Sequence, residues 1–171
     1  MQPARNDTAE TAFRAFVRAS CLFRNRMDPY FARFGISAAQ WGVLRTLHRA
    51  EGEGLAGLRL TDLGRRLLVR PPSMTSVVDR LEREGLVARR AAEGARRAKQ
   101  VSLTDHGRKL VARVLTRHPA QMRAVMAGLT DAEQRDLRRL MERLAEHLAK
   151  PVAADDHDTI SSRQPGKRSK P

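Results

Sequence analysis

The sequence predicts a mostly α-helical fold with one small β-hairpin, and three observations support this. Hydrophobic residues make up 41% of the 171-residue chain but aromatic residues only 4%, which favours helices over a strand-rich sandwich. Apolar residues recur at helical spacing along most of the chain, while two short alternating stretches after residue 85 have the pattern of strands. At this length one compact core is normally sufficient.

Charge indicates the class of partner. The chain has 33 lysines and arginines against 19 acidic residues, a net charge of +14, and such a charge on a small domain favours a polyanion as partner. The excess is concentrated in residues 65–113, which contain 13 basic and five acidic side chains. Nucleic acid is therefore the first candidate, with this middle segment facing it.

Other function classes find little support in the sequence. There is no run of about 18 apolar residues and no secretory leader at the start, so we expect a cytoplasmic protein with no membrane contact. The five histidines and the acidic residues form no catalytic, metal or phosphate motif, and a lone cysteine, Cys21, forms no internal disulfide. We expect neither an enzyme nor a bound cofactor or metal.

The first predicted helix is long and amphipathic. Its apolar stripe steps by three and four residues along the chain, and consists of Phe13, Phe16, Ser20, Phe23, Met27, Tyr30 and Phe34. Pro29 should kink or interrupt it, because proline lacks an N–H and clashes with the preceding turn. The stripe fits a core helix and a dimer-forming helix equally well.

Two further helices are predicted before residue 70. Ser37 and Gln40 have the spacing of a capping box, so a second helix should begin there and end near Glu51. Three glycines in residues 51–57 indicate a loop, and a short third helix should follow over Thr61–Leu68.

Residues 69–85 have the layout of a recognition helix. The turn Val69–Ser73 leads into a helix whose first position suits Pro72, and Gly85 suits the position after its end. A narrow apolar face is formed by Met74, Val77, Val78 and Leu81. Polar side chains face outward or sideways, namely Ser73, Thr75, Ser76, Arg80 and Arg83.

The remaining elements are a hairpin, two helices and a tail. Residues 86–90 and 99–103 are predicted to be strands, joined by a basic tip over residues 91–98. Thr104 and Asp105 should cap a helix that bends at Pro119, and Thr130 begins a second capping box before a helix with heptad-like leucines. Residues 151–171 are polar and aperiodic, so we expect a disordered tail.

From residue 34 to residue 110 the order of these elements resembles the MarR family of winged helix-turn-helix regulators. The matching phrases are GISAAQWGVL (35–44), LTDLG (60–64), PSMT (72–75), VDRLEREGLV (78–87) and RRAKQVSLTDHG (96–107). The resemblance covers roughly residues 10–149. It implies N-terminal dimerisation helices (1–34), a winged helix-turn-helix region (35–110), C-terminal dimerisation helices (111–149) and a disordered tail (150–171).

The resemblance also implies which residues meet DNA. The helix Pro71–Glu84 would enter the major groove, and the hairpin, or wing, would reach the minor groove. The family's wing usually carries Asp-x-Arg, but here the frame is Ala95-Arg96-Arg97, so the aspartate that holds the arginine is replaced. The implied DNA-binding set is Arg70, Pro72, Ser73, Thr75, Ser76, Arg80, Arg96, Arg97 and Lys99.

The expected function is sequence-specific binding of double-stranded DNA by a homodimer on a pseudo-palindromic operator. Members of the family are commonly repressors released by small aromatic or phenolic anions, so such an effector is implied here. A non-specific nucleoid protein would share the charge but needs no ordered recognition helix.

A thiol sensor is a second alternative, through Cys21. In the peroxide-sensing branch of the family the reactive cysteine lies about two helical turns further ahead of the equivalent of Gly35, so we expect Cys21 to be buried and inert. His106 and His118 are expected on a helix surface or at the dimer interface rather than as zinc ligands.

Overall fold

Helices dominate the computed structural model, which describes residues 7–92 and 95–150. This confirms the predicted class, a mostly helical chain with a small sheet. The elements follow the order α1 (Thr8–Ala32), α2 (Ala38–Gly52), β1 (Leu58–Arg59), α3 (Leu60–Leu67), α4 (Pro71–Arg83), β2 (Val87–Ala92), β3 (Ala95–Leu103), α5 (Asp105–Met126) and α6 (Asp131–Leu148). The expected tail over residues 151–171 lies outside the described residues.

Both predicted capping boxes form. The Ser37 side chain accepts from the backbone N–H of Gln40 at 3.2 Å, and Gln40 Oε1 accepts from the backbone N–H of Ser37 at 2.9 Å. The same exchange links Thr130 and Glu133 at the start of α6. Each box satisfies backbone donors that a helix start leaves without a partner, so these two starts are fixed locally.

Neither proline interrupts its helix, so of the two outcomes expected at Pro29, a kink or an interruption, the interruption does not occur. α1 continues through Pro29 to Ala32, and α5 continues through Pro119 to Met126. Tyr30 and Phe31, directly after Pro29, are 5% and 4% exposed. Their burial offsets the backbone hydrogen bond that proline removes, so packing overrides the local preference.

A single apolar core fills the unit that ends at Val125. Its fully buried side chains come from α2, α3, α4, β2, β3 and α5, and include Leu44, Leu63, Val78, Val101 and Val111. Helix α5 packs closely against the chain just before β2: a Cβ on Gly107 would lie 2.1 Å from the carbonyl oxygen of Leu86. Glycine is therefore required there for close packing of helix on backbone.

The sheet has three antiparallel strands in the order β1-β3-β2. Leu58 pairs with Val101 and Val87 pairs with Leu103. β2 and β3 confirm the predicted hairpin, although both strands extend further toward the tip than expected. β1 was not predicted, because a strand of two residues is too short to show a periodic pattern.

The second unit begins at Met126 and includes α6. Gln134 donates to the carbonyl oxygen of Leu129 at 2.9 Å, which ties the first turn of α6 to the chain before it. Helix α6 has no buried residue. Its apolar stripe is exposed along its whole length, and comprises Leu137, Leu140, Met141, Leu144 and Leu148.

Candidate DNA-binding surface

Helix α4 presents one apolar face to the core and one polar face to solvent. Met74, Val78 and Leu81 are each no more than 1% exposed, so the rotation of the helix about its axis is fixed by packing. Ser73, Thr75 and Ser76 lie on the exposed side, as predicted. The N-terminal half of α4 thus presents a polar surface to solvent, and the packing of its apolar face against the core fixes the orientation of that surface.

The start of α4 differs from the prediction by one residue. Pro71, rather than Pro72, occupies the first helical position, and the N-cap residue Arg70 makes no side-chain capping bond. Two successive prolines leave the first turn with few N–H groups, and that of Met74 already donates to the Arg70 carbonyl at 3.1 Å. An anion at this end would rely on Ser73 and Arg70 more than on a full set of backbone donors.

Thr75 uses its hydroxyl proton within its own helix. Its Oγ1 donates to the carbonyl oxygen of Pro71 at 3.1 Å, and the residue is exposed. The hydroxyl oxygen remains an acceptor, and the methyl group remains available for contact. Thr75 can therefore accept a hydrogen bond from a base edge or pack against a thymine methyl group.

Arg89 joins α4 to the first strand of the wing. Its Nη2 donates to Asp79 at 2.5 Å, its Nη1 donates to Glu82, and its backbone N–H donates to Glu82 at 3.2 Å. Burial lowers the pKa of Arg89, but its hydrogen bonds to the two carboxylates outweigh burial and raise the pKa overall. The wing and α4 are thereby held in one orientation.

A second ion pair lies at the end of α4. Arg80 Nε donates to Glu84 at 3.0 Å, and Gln40 Nε2 donates to the other oxygen of Glu84 at 2.7 Å. Sequence reasoning found Gln40 only as a capping residue and did not single out Arg89 or Glu84. The spacing of four residues between Arg80 and Glu84 is a local pattern that could have indicated their ion pair. Gln40 and Glu84 are 44 residues apart, so no pattern in the sequence indicates their hydrogen bond.

The wing carries basic residues along its strands. Arg90 and Lys99 are exposed, and Arg90 pairs with Gln100 across the hairpin. Arg96 and Arg97 lie within β3 rather than in a loop, which corrects the expected boundary. Their side chains, together with Glu93 and Gly94, lie outside the described residues.

His118 lies in an aromatic cluster, which excludes one of its two expected positions, an exposed helix surface, while the other, the dimer interface, stays a prediction. Its ring centroid is 5.6 Å from that of Trp41, 6.1 Å from Tyr30 and 6.4 Å from Phe31. Its Nδ1 is buried with no hydrogen-bond partner in the described structure. Burial, with the nearby charge of Arg45, lowers its pKa.

Cys21 and His106, two further residues considered from the sequence, are both exposed. Cys21 is exposed on α1, which corrects the expectation of a buried thiol. His106 is exposed near the start of α5, as one of the expected alternatives had it. Within residues 7–92 and 95–150, three or more potential metal ligands nowhere cluster, and no helix there has the length and apolarity of a membrane span.

A recognition helix, a preceding short helix and a three-stranded wing together define a winged helix-turn-helix protein. Residues 34–98 match the model of the MarR family. The HTH-type transcriptional regulator PecS of Dickeya dadantii is 32% identical over 131 residues, which are 77% of this chain and 78% of PecS. The chain therefore belongs to the MarR family.

Solved structures agree with this assignment. The MarR family regulator Sco3205 of Streptomyces coelicolor, in complex with DNA, superposes with a TM-score of 0.74 at 26% identity, over 88% of this chain and 94% of that one. Rv2887 of Mycobacterium tuberculosis, in complex with salicylic acid, gives a TM-score of 0.59 at 29% identity, over 76% and 93% of the two chains.

Proposed function

We propose that this protein is a sequence-specific, double-stranded DNA-binding transcription regulator, most simply a repressor. The observation that carries the proposal is the exposed polar half of α4, with Ser73, Thr75 and Ser76 facing solvent over a fully buried apolar face. Short hydroxyl side chains on a rigid helix suit the edges of bases in the major groove. The DNA complex of Sco3205 supports the same use of the fold.

Around this helix we propose contacts that supply affinity rather than sequence choice. Arg70 and Pro72 lie at the exposed start of α4, where a phosphate group would approach. Lys99 is exposed on β3, and we assign Arg96 and Arg97 of that strand to the minor groove beside the recognition helix. Arginines there respond to groove width and potential more than to base identity.

We propose that the active form is a homodimer on a pseudo-palindromic operator. The support is apolar surface that the single chain leaves in water: Phe13, Phe16 and Phe23 on α1 are 61%, 46% and 46% exposed, and the α6 stripe is exposed as well. Exposed apolar stripes of this kind mark association faces. Two-fold symmetry would place two recognition helices about one DNA turn, ~34 Å, apart.

We propose further that a small aromatic anion releases the DNA. The support is Arg45, a half-buried arginine with no ion pair in the described structure, near the partnerless Nδ1 of His118 and an aromatic cluster. Burial, followed by the charge of Arg49, lowers the pKa of Arg45, so an anion there would relieve an unpaired charge. Rv2887 has been solved with salicylic acid, which is such an anion.

The exposure of Cys21 keeps one alternative open to test, a thiol-based response. Cys21→Ser should preserve both DNA binding and release by an aromatic acid such as salicylate. Release by peroxide in the wild type that is lost in Cys21→Ser would favour the redox alternative.

The first experiment is selection of DNA fragments from a random library by the purified protein, followed by titration of the selected site and of scrambled DNA at one salt concentration. A regulator should prefer its site by a factor of about 10³ or more. Near-equal affinity for both DNAs would instead indicate a non-specific nucleoid protein.

The second experiment uses two matched threonines. Thr75 and Thr116 are both exposed, and each donates its hydroxyl to the carbonyl four residues earlier, at 3.1 and 2.9 Å. Thr75→Ala and Thr116→Ala should therefore change thermal stability equally, while only Thr75→Ala weakens binding to the selected site. Equal DNA affinities for the two variants would contradict the role of Thr75.

A further inference from the structure

The carboxylate of Glu84 connects two parts of the fold that are distant in sequence. One oxygen accepts from Arg80 Nε at 3.0 Å on the same helix, and the other accepts from Gln40 Nε2 at 2.7 Å on α2. Glu84 is the C-cap residue of α4. Its carboxylate is therefore oriented by a partner outside the recognition helix.

Gln40 is held firmly enough to act as that support. It is 2% exposed, and its Oε1 accepts from the backbone N–H of Ser37 at 2.9 Å. Both ends of its amide are thus engaged, one by the start of α2 and one by Glu84. A buried side chain with both ends bonded has little rotational freedom, so the position of Glu84 is set by the core.

Arg80 is engaged in a way that leaves its outer edge available. Its side chain is 64% exposed, and among the described residues its hydrogen bonding is confined to Nε. Four of its five N–H donors remain for an external acceptor. Arg80 lies one helical turn after Ser76, on the same exposed face of α4.

We propose that Glu84, braced by Gln40, is a positioning residue that orients Arg80 for contact with DNA. This inference rests on the proposed function. An arginine whose Nε is already fixed loses less side-chain freedom when its terminal nitrogens bind a phosphate or a guanine edge. Glu84 itself need not touch DNA.

The direction in which a change at Glu84 shifts DNA affinity distinguishes a positioning role from simple electrostatic repulsion. A carboxylate near DNA repels phosphates, so its neutralisation alone should strengthen binding and steepen the salt dependence. Loss of a positioning residue should weaken binding instead. Glu84→Gln removes the charge at nearly unchanged shape, so the direction of its effect is informative.

The experiment is a double-mutant cycle measured by DNA titration with the selected operator. Glu84→Gln should weaken binding by about two- to tenfold per half-site, the cost of ordering one long side chain. In the Arg80→Ala background the same change should have no effect or strengthen binding. Equal effects of Glu84→Gln in both backgrounds, in either direction, would overturn the proposal.

A second arm of the experiment changes Arg80 and leaves Glu84 as it is. Arg80→Lys keeps the positive charge but cannot bond Glu84 and a DNA acceptor through a planar fork, so it should lose nearly as much affinity as Arg80→Ala. Full affinity of Arg80→Lys would show that charge alone is sufficient and would overturn the proposal.

The matched control is Glu53→Gln. Glu53 also pairs with an arginine, Arg66, at 2.9 Å, and both side chains are partly exposed, but among the described residues no buried glutamine donates to it. This variant should bind the operator at least as well as wild type. If the wild-type protein selects no operator, the proposed function itself is contradicted. That result differs from equal effects of Glu84→Gln in both backgrounds, which contradict only the role of Glu84.

Discussion

The two halves of helix α1 share one apolar pattern and differ in what covers it. From Met27 onward the stripe is buried, with Met27, Tyr30 and Phe31 at most 5% exposed, whereas in the part up to Phe23 it is in solvent, with Phe13, Phe16 and Phe23 61%, 46% and 46% exposed. The spacing of three and four residues is the same throughout. A periodic stripe therefore identifies which side of a helix is apolar, and it leaves open which surface covers that side.

The buried half is covered by the chain itself. The Phe31 ring lies 5.8 Å from Trp41 of α2 and 6.4 Å from His118 of α5, and the Tyr30 hydroxyl donates to the carbonyl of Val114 at 3.3 Å. Among residues 7–92 and 95–150 of the single chain, the exposed half has no such partners. A second copy of the chain would cover it, which is the basis of the proposed dimer.

The largest expected effect comes from the buried half. Phe31→Ala should lower the free energy of unfolding by about 3–5 kcal/mol, since it removes a buried ring and leaves a cavity among Trp41 and His118. Denaturant titration measures this change. The loss should be the same at all protein concentrations, because the contacts are internal. A loss below about 1 kcal/mol would mean that the two halves do not differ as described.

The next effect comes from the exposed half. Phe16→Ala should leave the fold intact but raise the dimer dissociation constant by about 30-fold, as loss of about 2 kcal/mol at an interface anchor does. Sedimentation at several concentrations measures it. Arg18→Ala, on the opposite side of α1, is the control and should dissociate like wild type. A wild-type chain that sediments as a 19.2 kDa monomer at micromolar concentration would contradict the dimer itself.

How much the sequence revealed depended on the distance between interacting residues. Capping boxes and the polar face of α4 arise from neighbours within four positions, so the starts of α2 and α6 and the exposure of Ser73 and Thr75 were predictable. The burial of His118 depends on Tyr30 and Trp41, which are far away in the sequence. The links from Arg89 to Asp79 and from Gln40 to Glu84 likewise need the fold before they become visible.

A third prediction concerns His118, which packs against the buried half of α1, and the pH dependence of the free energy of unfolding. The pKa of His118 is lowered in the folded protein by burial and by Arg45. The unfolded chain therefore takes up a proton at higher pH than the folded one, so stability present at neutral pH should decrease as pH falls below about 6.5. The slope from one such proton is at most about 1.4 kcal/mol per pH unit.

Denaturant titrations between pH 7.5 and 5.5 measure this slope. His118→Gln, which does not titrate, should show a shallower decrease over the same range. An identical pH dependence in wild type and His118→Gln would place the titrating group elsewhere.

The smallest effect concerns an exposed apolar residue that belongs to neither half of α1. Leu68 is the C-cap residue that follows α3, with φ 54° in the left-handed region, and it is 93% exposed. A leucine there has a strained backbone and no burial to offset it. Leu68→Asn should raise the free energy of unfolding by about 0.5–1 kcal/mol, because asparagine tolerates this conformation better. Leu68→Ala is the matched control: it shortens the side chain but keeps a Cβ in the same conformation, so its free energy of unfolding should not increase.

Unlike the exposed phenylalanines of α1, Leu68 is part of no apolar stripe, so neither variant should change the dimer dissociation constant. If Leu68→Asn weakened the dimer as Phe16→Ala does, exposure without helical periodicity would also mark the interface, and the contrast drawn from α1 would fail.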